Sequence, residues 1–136
     1  MNASMALAEW RRALLSLRAA QLLADNGIYP DAVARTYYAV LHAAKAALQV
    51  HDIGAESHSA VKRLFGLHLI KSGALEAELS SHLVEGLDER LAADYDPNVQ
   101  VSEVEARDQC RRAAAFVERI RQYLTAQVLA MEEPDA

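Results

Sequence analysis

DAVARTYYAVLHAAKAALQV, running from Asp31 to Val50, is the stretch whose reading decides the fold. Pro30 precedes it, where a missing N–H costs a helix nothing. No further proline or glycine occurs before Gly54, and alanine, the best helix former, is abundant. Val33, Tyr37, Val40, Ala44 and Leu48 recur at spacings of three and four and predict one buried face. Arg35, His42 and Gln49 recur every seven residues and form a second stripe, with Ala39 and Ala46 between them. A cation and an imidazole among alanines require a partner, solvent or a second subunit. The alanine-lined face therefore predicts a homodimer contact.

Outward from this helix the chain reads as four more. Asn2 or Ser4 caps a first helix to about Ala24, with Leu7, Trp10, Leu14 and Leu17 facing inward and Glu9, Arg11, Arg12 and Arg18 outward. Gly27 stops it. After a break near Gly54, Ser57 or Ser59 caps a third helix to about Lys71, with Val61, Leu64, Phe65 and His68 or Leu69 inward. Gly66 is a poor helix former in its middle, and Ser72-Gly73 ends it. Leu75, Leu79, Leu83, Leu87 and Leu91 mark a fourth helix from about Ala74 to Ala93, and Asp96-Pro97-Asn98 closes it. Ser102 and Glu105 open the fifth as a capping box, with Ala113, Val117, Ile120 and Leu124 buried. Its arginines are interleaved with Asp108 and Glu118, the pattern of a solvated face. The expectation is an all-α, compact five-helix bundle: one domain over 1–130 and a short tail over 131–136. Trp10, Tyr37, Leu41, Leu83, Val117 and Ile120 are expected in its core.

Of 136 residues, 52% are hydrophobic and 24% charged, a composition that folds. The net charge of -5 weakens the electrostatic case for stable duplex nucleic-acid binding but leaves room for local basic patches. One cysteine, Cys110, rules out an internal disulfide framework and is expected to pack rather than react. No apolar run reaches the roughly 20 residues a membrane span needs, and the N-terminal stretch lacks the pattern of a secretory signal. No membrane association is expected, and a cytoplasmic location follows by default.

Glycine-rich phosphate loops, dinucleotide fingerprints and the HExxH metal motif are all absent. The five histidines form no i,i+4 pair, and neither a metal nor a cofactor is expected. Arginine with histidine or tyrosine remains. Arg35 with His42, and Arg90 with Tyr95 at the end of the fourth helix, are the catalytic candidates; Arg63 with His68 is a third, looser pair. On RNA, an arginine would hold a phosphate while a histidine moves a proton to or from the 2′-hydroxyl or leaving oxygen. Tyr38, His58 and Asp94 join Arg35 and Arg90 as candidate ligand-binding residues. The structural alternative pairs Arg35 with Asp94, Glu85 or Asp88 and hydrogen-bonds His42 to a carbonyl or a tyrosine.

Four segments together resemble the small prokaryotic HEPN-domain proteins: Arg35-Thr36-Tyr37-Tyr38-Ala39-Val40-Leu41-His42-Ala43-Ala44; His58-Ser59-Ala60-Val61 with Phe65 and Lys71-Ser72-Gly73; Arg90-Leu91-Ala92-Ala93-Asp94-Tyr95-Asp96-Pro97; and Ala113-Ala114-Ala115-Phe116-Val117. Their order and spacing span roughly residues 5 to 125. The resemblance implies a helical bundle, frequently a homodimer, often encoded with a small nucleotidyltransferase partner. It also implies a toxin–antitoxin setting, RNA or nucleotide binding, and in many members metal-independent endoribonuclease activity. The family's motif is an arginine, four to six residues, then a histidine. The best-matching position here carries Arg90 and Tyr95, without the histidine, so binding is expected ahead of cleavage. The rival reading is a noncatalytic homodimeric interaction module whose Arg, His and Asp groups form a structural network.

Overall fold

The computed structural model describes residues 1–83, 96–98 and 100–127, and among these all regular structure is helical. Helix α1 spans Ala3–Asp25, α2 Tyr29–Gln49, α3 His58–Phe65, and α5 Glu103–Ala126. The described part of α4 covers residues 78–83. The five-helix, all-α expectation stands.

Local chemistry sets the boundaries. The Asn2 side chain accepts from the Met5 amide at 3.1 Å, closing the start of α1. Gly27, at φ +78°, turns the chain back after Asp25. Helices α1 and α2 then run antiparallel as a hairpin, and the Asn2 amide donates to the Gln49 carbonyl at 3.0 Å at its far end. Beyond α2, in the expected break near Gly54, the left-handed residue is Asp52, at φ 57°. Aspartate tolerates this conformation because its short polar side chain can bond locally.

Ser57 caps α3 by accepting from the Ala60 amide at 3.1 Å. The helix widens at Gly66, where the Lys71 amide reaches the Gly66 carbonyl five residues back at 2.9 Å, giving a π turn over Gly66–Ile70. Val61, Phe65 and Leu69 face inward from this element, while His68 is exposed. Gly73 follows at φ +83°. The Leu75 amide then donates to the Leu69 carbonyl at 2.8 Å, which holds the chain in a turn and starts α4 at residue 78 instead of about 74. The Ser102 hydroxyl accepts from the Glu105 amide at 3.1 Å and opens α5.

Helix α2 is the axis of the core. Val33, Tyr37, Val40, Ala44 and Leu48 are buried as their spacing predicts, and α1, α3 and α5 all pack against it. The expected core residues Trp10, Tyr37, Leu41, Leu83, Val117 and Ile120 are 0, 2, 5, 2, 0 and 0% exposed. Leu7 and Leu14 are only half buried; alanines 6, 13, 20 and 24 carry the inner face of α1 with Trp10 and Leu17. Ala39 and Ala46 are fully buried within the single chain. The alanines of the Arg35, His42 and Gln49 stripe therefore cannot supply the surface for a second copy. Cys110 is buried in a smaller cluster with Ala20, Ala24, Ala32, Val33 and Ala106.

Candidate functional site

Consecutive residues on an α-helix diverge by about 100°, so the Tyr37-Tyr38 pair cannot point the same way. Tyr37 enters the core at 2% exposure; Tyr38 stays half buried at the surface. One turn before Tyr38, the exposed Arg35 sets its guanidinium carbon 5.7 Å from the Tyr38 ring centre, within cation–π range. The Tyr38 ring meets Tyr37 edge-on at 5.9 Å, and Tyr37 meets the His58 ring at 5.3 Å. The Ser57 cap fixes His58 as the first residue of α3. Arg35, Tyr38, Tyr37 and His58 thus form a continuous row of one cation and three rings across α2 and α3.

His42 lies elsewhere. Seven residues of helix separate it from Arg35 by about 10.5 Å along the axis, so the two side chains do not form one contact pair. Its Nδ1 is 2.8 Å from Glu9 Oε2, and Lys45 Nζ is 3.6 Å from the other oxygen of the same carboxylate. A carboxylate only accepts, so Nδ1 is the donor to Glu9, and when the ring is neutral Nε2 is its acceptor. Burial pushes the Glu9 carboxyl up, but the His42 hydrogen bond and the Lys45 and His42 charges outweigh it and hold its pKa below the ordinary value.

The sequence pattern puts Glu9 on the outer face of α1, but its side chain is only 15% exposed and faces α2. The carbonyl or tyrosine expected as the partner of His42 is this carboxylate. A glutamate beside the buried Ala6, Trp10 and Ala13 stripe was the available signal, but which helix would cover it depends on the hairpin.

Among the described residues Arg35 has no ion-pair partner. Arg90, Asp94 and Tyr95, and the alternative Arg35 partners Glu85 and Asp88, lie outside the described residues, as does the tail over 131–136. Arg63 and His68 are both exposed, with the regular part of α3 ending between them. His82, which sequence reasoning passed over, meets the Phe116 ring at 5.5 Å. It shares a cavity of about 10 Å³ with Thr36, Tyr37, Gln109 and Arg112.

The arginines of α5 are largely matched by carboxylates, as their charge mixing predicts. Arg121 grips Glu118 at 2.6 and 2.8 Å, and Arg119 reaches Glu76 at 2.7 Å. Burial raises the Cys110 pKa, which keeps it a thiol. No described helix is long and apolar enough to cross a membrane.

Among the described residues all regular structure is helical, and a family model, the HEPN domain, matches residues 7–127. The chain belongs to the HEPN-domain family. It is similar to two Methanocaldococcus jannaschii proteins whose names describe candidate toxins. One is 36% identical over 109 residues, covering 80% of this chain and 81% of the relative. The other is 30% identical over 120 residues, covering 88% and 82%. A UPF0332 protein of Gloeobacter violaceus is 33% identical over 114 residues, covering 83% of this chain and 90% of that one.

Proposed function

We propose that this chain is a toxin-like HEPN protein that binds RNA or a nucleotide on the row from Arg35 to His58. The observation that carries this reading is the exposed Arg35 guanidinium 5.7 Å from the half-buried Tyr38 ring. A guanidinium beside an aromatic face offers the two contacts a nucleotide needs, a charge for phosphate and a surface for a base. Tyr37 meets the Tyr38 ring edge-on, and His58 meets Tyr37 in turn, so the row continues from α2 to α3. Arg90, Asp94 and Tyr95, which lie outside the described residues, enter the proposal through the family resemblance alone.

A second reading, RNA cleavage, is favoured by the Glu9–His42 contact. With Nδ1 committed to the carboxylate, Nε2 is the nitrogen that would accept a proton from a 2′-hydroxyl, and Glu9 would stabilise the imidazolium that results. A homodimer and a small nucleotidyltransferase partner are part of the proposal through family resemblance, together with a cytoplasmic setting. The names of the Methanocaldococcus relatives support the toxin-like assignment.

Binding, cleavage and thermal melting measured on the same purified variants test both readings. Arg35→Ala and Tyr38→Ala should weaken affinity for a short RNA while leaving the melt in place. His42→Ala should abolish turnover if cleavage occurs. Wild-type RNA affinity in both surface variants would reject the site. Lower melting temperatures for these variants, with no ligand bound by the wild type, would establish the structural network instead.

A further inference from the structure

We infer that the row from Arg35 to His58 takes at least two linked nucleotides rather than one, with Lys62 as the second phosphate grip. The inference rests on the reading of that row as a nucleotide site. Its basis is that one arrangement occurs twice. On α2, Arg35 stands one turn before the half-buried Tyr38 ring, 5.7 Å from its centre. On α3, the partly exposed Lys62 follows the half-buried His58 by four residues, which puts both on one flank of the helix. Tyr37 joins the two halves, meeting Tyr38 at 5.9 Å and His58 at 5.3 Å. Each half sets a cation beside an aromatic ring, one contact for a phosphate and one for a base.

Charge supports the second half. The chain has a formal net charge of -5, yet it contains no aspartate or glutamate from Ala32 to His51 or from Ser57 to Leu75. Lys45, in the first stretch, is taken up by Glu9 at 3.6 Å. Among the described residues neither Arg35 nor Lys62 has an ion-pair partner. Arg107, Arg111, Arg119 and Arg121 on α5, by contrast, each meet a carboxylate. Unneutralised cations therefore stand beside the rings, at the corner where α3 returns to α2.

The length of the row selects the ligand. Three successive contacts separate Arg35 from His58, and Lys62 lies one turn, about 6 Å along α3, beyond it. A mononucleotide has one base with its phosphate at one end, so it fills one half and leaves the other empty. A strand repeats base and phosphate and fills both, and the link makes its second contact intramolecular. An acidic peptide would meet both cations but leave both rings unused.

Calorimetric titration of the full chain with uridine monophosphate and with the 5′-phosphorylated dinucleotide pUpU tests this. The dinucleotide should bind about tenfold tighter or more. Lys62→Gln should bring pUpU down to the affinity of the monophosphate, leave the monophosphate unchanged, and lower the pUpU salt slope by about 0.7. His58→Ala should do the same to both affinities. Lys71→Gln, an equal loss of charge beyond the π turn, should change neither by more than about twofold, because salt screens a distant cation. Equal affinity for the two ligands, both weakened by Tyr38→Ala, would overturn the inference and leave the nucleotide reading standing. Ligands that do not bind, or that Tyr38→Ala leaves untouched, would overturn both. The inference also falls if Lys71→Gln weakens pUpU as much as Lys62→Gln does, or if a hexaglutamate peptide displaces pUpU as well as hexauridylate does.

Discussion

His42 on α2 and Glu9 on α1 are joined by a 2.8 Å contact between side chains 33 positions apart in the chain. The contact fastens the hairpin partway along its length and sets the imidazole tautomer. One bond thus serves both the packing of α1 on α2 and the availability of Nε2.

The Glu9 carboxyl has a folded-state pKa below its unfolded value near 4.5, so its contribution to stability is fully present above that value. It is lost as pH falls through the lower folded value. Urea unfolding of the wild type should therefore show stability declining from about pH 5 downward, and Glu9→Gln should flatten that decline. Near neutral pH, Glu9→Ala should cost about 1.5–3 kcal/mol, the range for a hydrogen bond to a charged group. A wild-type pH profile retained by Glu9→Gln would remove Glu9 from this role.

Leu83, at 2% exposure, packs into the main core from the start of α4. Leu83→Ala should cost about 2–5 kcal/mol through lost burial and the cavity left behind. Denaturant melts would show it as a lower midpoint at unchanged slope. A loss under 1 kcal/mol would mean that the site collapses around the smaller residue.

Ser102 closes the first turn of α5 through its hydroxyl. Ser102→Ala should cost about 1 kcal/mol, whereas Ser102→Asp should keep most of the cap. Equal melting temperatures for the wild type and Ser102→Ala would show that solvent replaces the cap.

On the ligand face, Tyr38→Ala should weaken single-stranded RNA binding by about 1–3 kcal/mol if the ring carries a base. Arg35→Ala should instead lower the salt slope by about 0.7 if its guanidinium meets one phosphate. Titrations of both variants at several salt concentrations separate the two roles.

Much of this fold can be read from local pattern. The inner residues of α2 and the Ser102 and Ser57 caps follow from spacing and from side chains that act within one turn, as do the stops at Gly27 and Gly73. Long-range facts are different. Glu9 looks like any surface glutamate until α2 lies beside α1, and Ala39 and Ala46 read as an open face for the same reason. The start of α4 depends on the Leu75 amide reaching back to Leu69 across the π turn, which no propensity encodes. Arg35 and Tyr38 were legible because they are one helical turn apart. The tilted ring contact of His58 with Tyr37 required knowing how α3 returns to α2.

The alanines of α2 have a consequence for how this chain can change over generations. Ala39, Ala43, Ala44, Ala46 and Ala47 are fully buried, and such small contacts let neighbouring helices approach toward the near end of the usual 8–10 Å interaxial range. At that separation an added methyl or two has nowhere to go, and overpacking costs about 1–3 kcal/mol. Sequence drift is therefore steered away from the rod and onto the surfaces around it. Arg35 and Tyr38 are mounted on the part of the molecule least able to shift, so their own identity can vary while the place they occupy stays put.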